Sequence, residues 1–144
     1  MLKRRASAVW QGGLQGGTGS LSATSGVLND TPYSFKTRLV SEDGQAGTNP
    51  EELLAAAHAG CYAMALGATL ERNGHVADKL EVQAILTLDT DTLTVTAVTL
   101  NLDGSVPGIS DEQFQTFADD AKKNCIISRA LSPGIQISLN AKLV

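Results

Sequence analysis

Asn49-Pro50-Glu51-Glu52-Leu53-Leu54-Ala55-Ala56-Ala57-His58-Ala59-Gly60-Cys61 is the stretch whose reading decides the fold. Asn49 is a good capping residue, and Pro50 suits the first helical position, where a missing N–H costs nothing. Glu52 stands three residues after the cap, the spacing of a capping box. The apolar run behind it predicts a helix to about Arg72, with Gly74 as its stop. Cys61 lies inside this helix. The second cysteine, Cys125, ends another helical stretch. There Ser110 and Gln113 have capping-box spacing, and Phe114, Phe117, Ala118, Ala121 and Cys125 fall on one face.

Outward from the helices the pattern changes to strands. Arg4 to Trp10 and Ser20 to Leu28 read as strands on either side of a glycine-rich turn. No Gly-Lys-Ser or Gly-Lys-Thr follows that turn, so it is not a phosphate loop. Asn29 to Pro32 reads as a turn, and Tyr33 to Val40 alternates with the period of a half-buried strand. Leu80 to Leu88 alternates too, and Asp89 to Thr92 makes a hairpin turn. A phase slip between Ala97 and Val98 in the next strand predicts a bulge. Ile135 to Leu143 is the last strand. The order is βββ-α-ββ-α-β, an α+β fold with largely antiparallel sheets packed on two long helices.

A chain of 144 residues with a 42% hydrophobic fraction and no linker or repeat predicts one domain, residues 1–144. The net charge of -4 argues against nucleic acid or an anionic membrane as partner. No run approaching ~18 apolar residues stands out as a membrane span. Lys3, Arg4 and Arg5 are not followed by an apolar core, so no signal peptide is expected. Two cysteines in that context predict a cytoplasmic, reducing setting, where a disulfide would be catalytic or sensing. His58 and His75 have no ligand spacing with each other or with the cysteines, so no metal or other cofactor is expected.

The residues alone leave the chemistry open. A buried thiol packs as a small hydrophobe, and only thiolate stabilisation makes it reactive. Small neighbours (Ala57, Ala59, Gly60) leave room for a reactant at Cys61. Arg38 is the charge best suited to activate a thiol, although on its strand face it also reads as a solvated arginine. Glu51 and Glu52 suit a helix N-terminus on electrostatic grounds alone. His58 shares a helix face with Cys61 and reads as a core or interface histidine with a hydrogen-bond partner.

The run Gly47-Thr48-Asn49-Pro50-Glu51-Glu52-Leu53-Leu54 with Ala56-Ala57-His58-Ala59-Gly60-Cys61 resembles the OsmC/Ohr family of osmotically inducible and organic hydroperoxide resistance proteins. Ala8-Val9-Trp10, Ser25-Gly26-Val27-Leu28, Tyr33-Ser34-Phe35-Lys36-Thr37-Arg38, Pro107-Gly108-Ile109 and Lys123-Asn124-Cys125 carry the resemblance along the whole chain, to the OsmC branch in particular. It implies a cysteine-based peroxidase acting in oxidative or osmotic stress. Cys61 matches the peroxidatic cysteine, Cys125 the resolving one, and Arg38 and Glu51 the charged pair that organises the pocket. Ile126 departs from the proline usual after the second cysteine. The implied substrates are organic hydroperoxides and hydrogen peroxide, the implied reductant a dithiol, such as a lipoyl-type one. The alternative is a non-catalytic dimeric module that binds a small molecule in the same apolar pocket.

The resemblance also implies an intertwined homodimer. Glu51 and Cys61 are ten residues apart on one helix, about 15 Å along its axis and on faces roughly 80° apart. One arginine does not comfortably serve both on a straight helix. Two chains that pair Arg38 and Glu51 of one with Cys61 and Cys125 of the other solve this, and a kinked helix is the rival.

Overall fold

The computed structural model describes all residues from Met1 to Val144. The chain forms two compact units, Met1–Leu53 and Leu54–Val144. The first holds an antiparallel sheet of β1 (Ala6–Gln11), β2 (Thr18–Ala23) and β3 (Thr31–Tyr33), in that order. β2 is shorter than the sequence pattern predicts. The chain turns after Ala23, where Gly26 takes a left-handed φ of 79°, a conformation cheap only for glycine. Pro32, expected in a turn, sits in β3 at the sheet edge, where a missing N–H is tolerated.

The predicted strand Tyr33 to Val40 ends at Tyr33. Ser34 and Thr37 exchange hydrogen bonds instead. Ser34 N–H donates to Thr37 Oγ1 at 2.9 Å, Thr37 N–H to Ser34 Oγ at 3.3 Å, and Thr37 Oγ1 to Ser34 O at 3.0 Å. These local bonds compete with a sheet ladder and wind Lys36–Val40 into a π-helical turn, closed by Ser41 N–H on Lys36 O at 2.9 Å.

α1 (Pro50–Arg72) begins in the first unit and continues through the second. Asn49 Oδ1 accepts Glu52 N–H at 2.8 Å, the expected cap. The return half of the box is absent, because the Glu52 carboxylate takes the Thr48 hydroxyl at 2.7 Å. At 23 residues α1 is long and apolar enough, by length and composition, to cross a bilayer, which corrects the expectation that no run approaches that size. One face is nevertheless packed in protein, with His58, Tyr62, Leu66, Thr69 and Leu70 buried.

The second unit packs α1, α2 (Asp111–Asn124) and the short α3 (Ile126–Leu131) with a sheet of β4 (Lys79–Asp89), β5 (Thr94–Ser105) and β6 (Gln136–Leu143). Tyr62, Leu66 and Leu70 of α1, Val98, Leu100 and Leu102 of β5, and Phe114, Ala118 and Ala121 of α2 form one core. The Tyr62 hydroxyl donates to Ala118 O at 3.0 Å. The Ser110–Gln113 capping box at the start of α2 is complete. The β4–β5 hairpin is bulged, just before the expected place between Ala97 and Val98. Leu88 pairs with Val95 and Thr87 with Ala97, leaving Thr96 without a partner.

The last strand differs from the expected pattern. β6 runs parallel to β5, because α2 and α3 carry the chain back to the end where β5 starts. Gly104 of β5 is needed for the core. A Cβ there would stand 2.5 Å from Cζ of Phe114, a fully buried ring. Gly104→Ala should therefore cost about 1–3 kcal/mol by overpacking, read as a lower urea midpoint at unchanged slope. An unchanged midpoint would contradict this packing.

Candidate active site

The four residues singled out from the sequence fall into two pairs. The first is in Met1–Leu53. The π-helical turn presents Arg38 to Glu51 at the start of α1, in a two-pronged pair. Nε lies 3.1 and 3.2 Å from the two carboxylate oxygens, and Nη2 lies 2.7 Å from Oε1. Asn49 ties the turn to the helix, since its Nδ2 donates to Thr37 O at 3.4 Å while its Oδ1 caps α1. The hydrogen bonds that Arg38 donates to Glu51 raise it above its already high pKa, so the guanidinium stays charged. Planar, fixed and half-exposed, it is ready to donate hydrogen bonds to an anion.

The second pair is in Leu54–Val144. Cys61, on α1, and Cys125, between α2 and α3, are both free thiols close enough to perturb each other's titration. Cys61 lines an open cavity of about 720 Å³ with Ala56, Ala57, Gly60, Met64, Ala65, Ala68, Ile126 and Ile127, and Thr69, Arg72 and Asn124 supply the polar groups. Cys125 is 1% exposed. A reactant entering the cavity meets Cys61 first. Another hollow, of about 760 Å³, lies over Glu81, Gln83, Asn101 and Asn140, but no cysteine lines it. Asn140 Nδ2 donates there to Asn101 Oδ1 at 2.9 Å.

The two thiols are not equivalent. Burial pushes Cys61 up, the Ile127 N–H opposes that, and the neighbouring Cys125 raises it further. Burial pushes Cys125 up too, but the Ser128 N–H, the Cys61 thiol, the Ser128 hydroxyl and the Ile127 N–H outweigh it and the net direction is down. The groups acting on Cys61 include no cation. A cation brought to Cys61 would favour its thiolate.

His58 takes the structural role favoured by its sequence position. It is fully buried, and Nε2 lies 2.7 Å from Ser128 Oγ. Ser128 is the member of the site that the sequence pattern does not single out. The spacing of Cys125-Ile126-Ile127-Ser128 is the available signal, that of a cap and its N3 donor. Cys125 Sγ accepts Ser128 N–H at 3.5 Å at the start of α3.

Comparison with known proteins fits this geometry. The model of the OsmC-like protein family matches residues 42–140, a span that includes Glu51, both cysteines and the helices that carry them. The chain belongs to the OsmC-like family. It is 36% identical over 143 residues to the peroxiredoxin OsmC of Escherichia coli K12, covering 98% of each chain. It superposes on the organic hydroperoxide resistance protein OhrB of Bacillus subtilis with a TM-score of 0.67 and 26% identity, over 96% of this chain and 98% of that one. An OsmC-like protein from Mycoplasma pneumoniae gives 0.76 at 16% identity, covering 99% and 98%, and at that identity shows the shared fold alone. The α+β architecture deduced from this OsmC-family sequence is therefore the family's own.

Proposed function

We propose that this OsmC-family chain is a thiol-dependent peroxidase that reduces organic hydroperoxides, and hydrogen peroxide as well, in stress defence. One observation carries the reading: Cys61 opens onto an apolar cavity and packs against the core in which Cys125, the other free thiol, is buried. That is the layout a peroxidatic and a resolving cysteine require. The likeness to the E. coli peroxiredoxin supports it.

The Cys61 thiolate attacks one peroxide oxygen. An S–O bond forms, the O–O bond breaks, and the alkoxide leaves and takes up a proton as the alcohol. Cys61 becomes a sulfenic acid. The Cys125 thiolate then attacks the Cys61 sulfur. The S–S bond forms, the S–O bond breaks, and hydroxide leaves and becomes water. An external dithiol, such as a lipoyl-type one, reduces the disulfide by exchange. No metal or other cofactor enters these steps.

The positive charge for Cys61 is supplied by Arg38 of a second copy, held by Glu51. Several observations favour a homodimer with composite sites. Among residues Met1–Leu53 only Gly17 is buried, and a three-stranded sheet with no buried side chain has little of its own to stabilise it. α1 leaves its small-residue surface, with Met64 79% exposed, outside the core. α1 is also helical throughout, with no proline after Pro50 and no π-bulge to kink it. The proposed working unit is residues 1–144 in duplicate, acting in the cytoplasm.

The apolar lining sets the expected preference. Steady-state turnover of cumene or tert-butyl hydroperoxide should exceed that of hydrogen peroxide, with a dithiol as reductant and protein far below substrate. Faster reduction of hydrogen peroxide would contradict the role of the cavity. No consumption at substoichiometric protein, with any of several dithiols, would leave the binding-module reading instead.

A further inference from the structure

His58 is completely buried, and the peroxidase reading gives it no part. It lies on α1 three residues before Cys61, yet its Nε2 is 2.7 Å from the Ser128 hydroxyl. Ser128 is 3% exposed. Its N–H donates to the Cys125 sulfur at 3.5 Å, and its hydroxyl is among the groups that pull the Cys125 thiol down. His58 Nδ1 has no partner at all. That asymmetry fixes the direction of the chain of bonds. A neutral imidazole has one N–H, and an orphaned buried N–H is rarer and costlier than an orphaned lone pair. The proton therefore sits on Nε2 and is donated to Ser128 Oγ. The Ser128 proton is then free to point at Cys125. Burial lowers the His58 pKa, which keeps the ring neutral and the direction of donation fixed.

We propose that His58 and Ser128 are a positioning pair for Cys125, a relay from His58 Nε2–H to Ser128 Oγ and from Ser128 O–H to Cys125 Sγ that holds this sulfur as a thiolate. The inference rests on the reading of Cys125 as the resolving cysteine. A poised thiolate attacks the Cys61 sulfenic acid before a second peroxide does, forming the S–S bond as hydroxide leaves. Without the relay Cys125 stays protonated longer, and Cys61 proceeds to the sulfinic acid. The rival is that Ser128 only gives a buried histidine a partner, with no effect on the sulfur.

The test separates the relay from the peroxidase reading. In Cys61→Ser protein Cys125 is the only thiol, and its titration can be followed by thiolate absorbance and by alkylation rate against pH. Adding Ser128→Ala should raise its pKa by about one unit, roughly a tenfold loss of thiolate near neutral pH. His58→Leu should shift it in the same direction, and His58→Gln, which keeps a side-chain N–H donor, should restore most of it. In the protein with both cysteines, Ser128→Ala should slow disulfide closure after one equivalent of cumene hydroperoxide and raise the sulfinic fraction by mass spectrometry. A Cys125 titration unmoved by Ser128→Ala overturns the relay, whatever the activity. Absence of any Cys61 sulfenic acid in the parent protein overturns the peroxidase reading, while the single-thiol titration still decides the relay.

Discussion

Cys61→Ser protein should consume no hydroperoxide above the uncatalysed rate, while it folds and retains the cavity. A serine hydroxyl is neither ionised near neutral pH nor oxidised by peroxide, so the first step has no nucleophile. The swap removes one polarisable atom from a position that is only partly buried, so loss of activity is not loss of fold. Cys125→Ser should behave differently. It should reduce about one equivalent of hydroperoxide per chain and then stop, because the sulfenic acid at Cys61 would have no resolving partner. With excess peroxide it should accumulate sulfinic acid at Cys61. Peroxide consumption and intact mass report both outcomes. Multi-turnover activity in Cys61→Ser would contradict the assignment of the nucleophile.

Arg38→Ala should lower the rate constant for peroxide reduction by roughly 10²-fold, the usual cost of removing one preorganised charged donor from a reacting centre. Stability should change by about 1 kcal/mol, since surface ion pairs contribute little and this one is partly exposed, with the Arg38 side chain at 46% and Glu51 at 16%. The gap between these magnitudes is the useful part, because a merely structural arginine would move both readings by little. The pH profile gives the sign. A nearby guanidinium favours the Cys61 thiolate, so its removal should move the alkylation midpoint of Cys61 to higher pH. An unchanged profile would rule out this role for Arg38.

Much of the fold was legible because its signals are local. The cap at Asn49, the capping box at Ser110 and the bulge at Thr96 each follow from a few neighbouring residues. The errors came where local patterns are degenerate. Tyr33, Phe35, Thr37 and Leu39 alternate like a strand, but the Ser34–Thr37 exchange bends the chain into a turn. That turn is what swings Arg38 to Glu51. The parallel pairing of β6 with β5 depends on where two helices return the chain, which periodicity does not encode. At the site, the cysteines and the Arg38–Glu51 pair stand out by motif. Ser128 does not, because its importance comes from His58, distant in sequence.

The central claim is that the site is built from two copies of the chain, and hybrid dimers test it most directly. Arg38→Ala and Cys61→Ser proteins, each inactive or nearly so, are unfolded together in equal amounts, refolded, and verified as heterodimers by mass. A hybrid holds one site with Arg38 and Glu51 from the Cys61→Ser chain and Cys61 and Cys125 from the Arg38→Ala chain. The mixture should regain about a quarter of parent turnover, since half of randomly re-formed dimers are hybrids and each has one intact site of two. Verified hybrids that recover no turnover would contradict the two-chain site and place Arg38 and Cys61 of the same chain together.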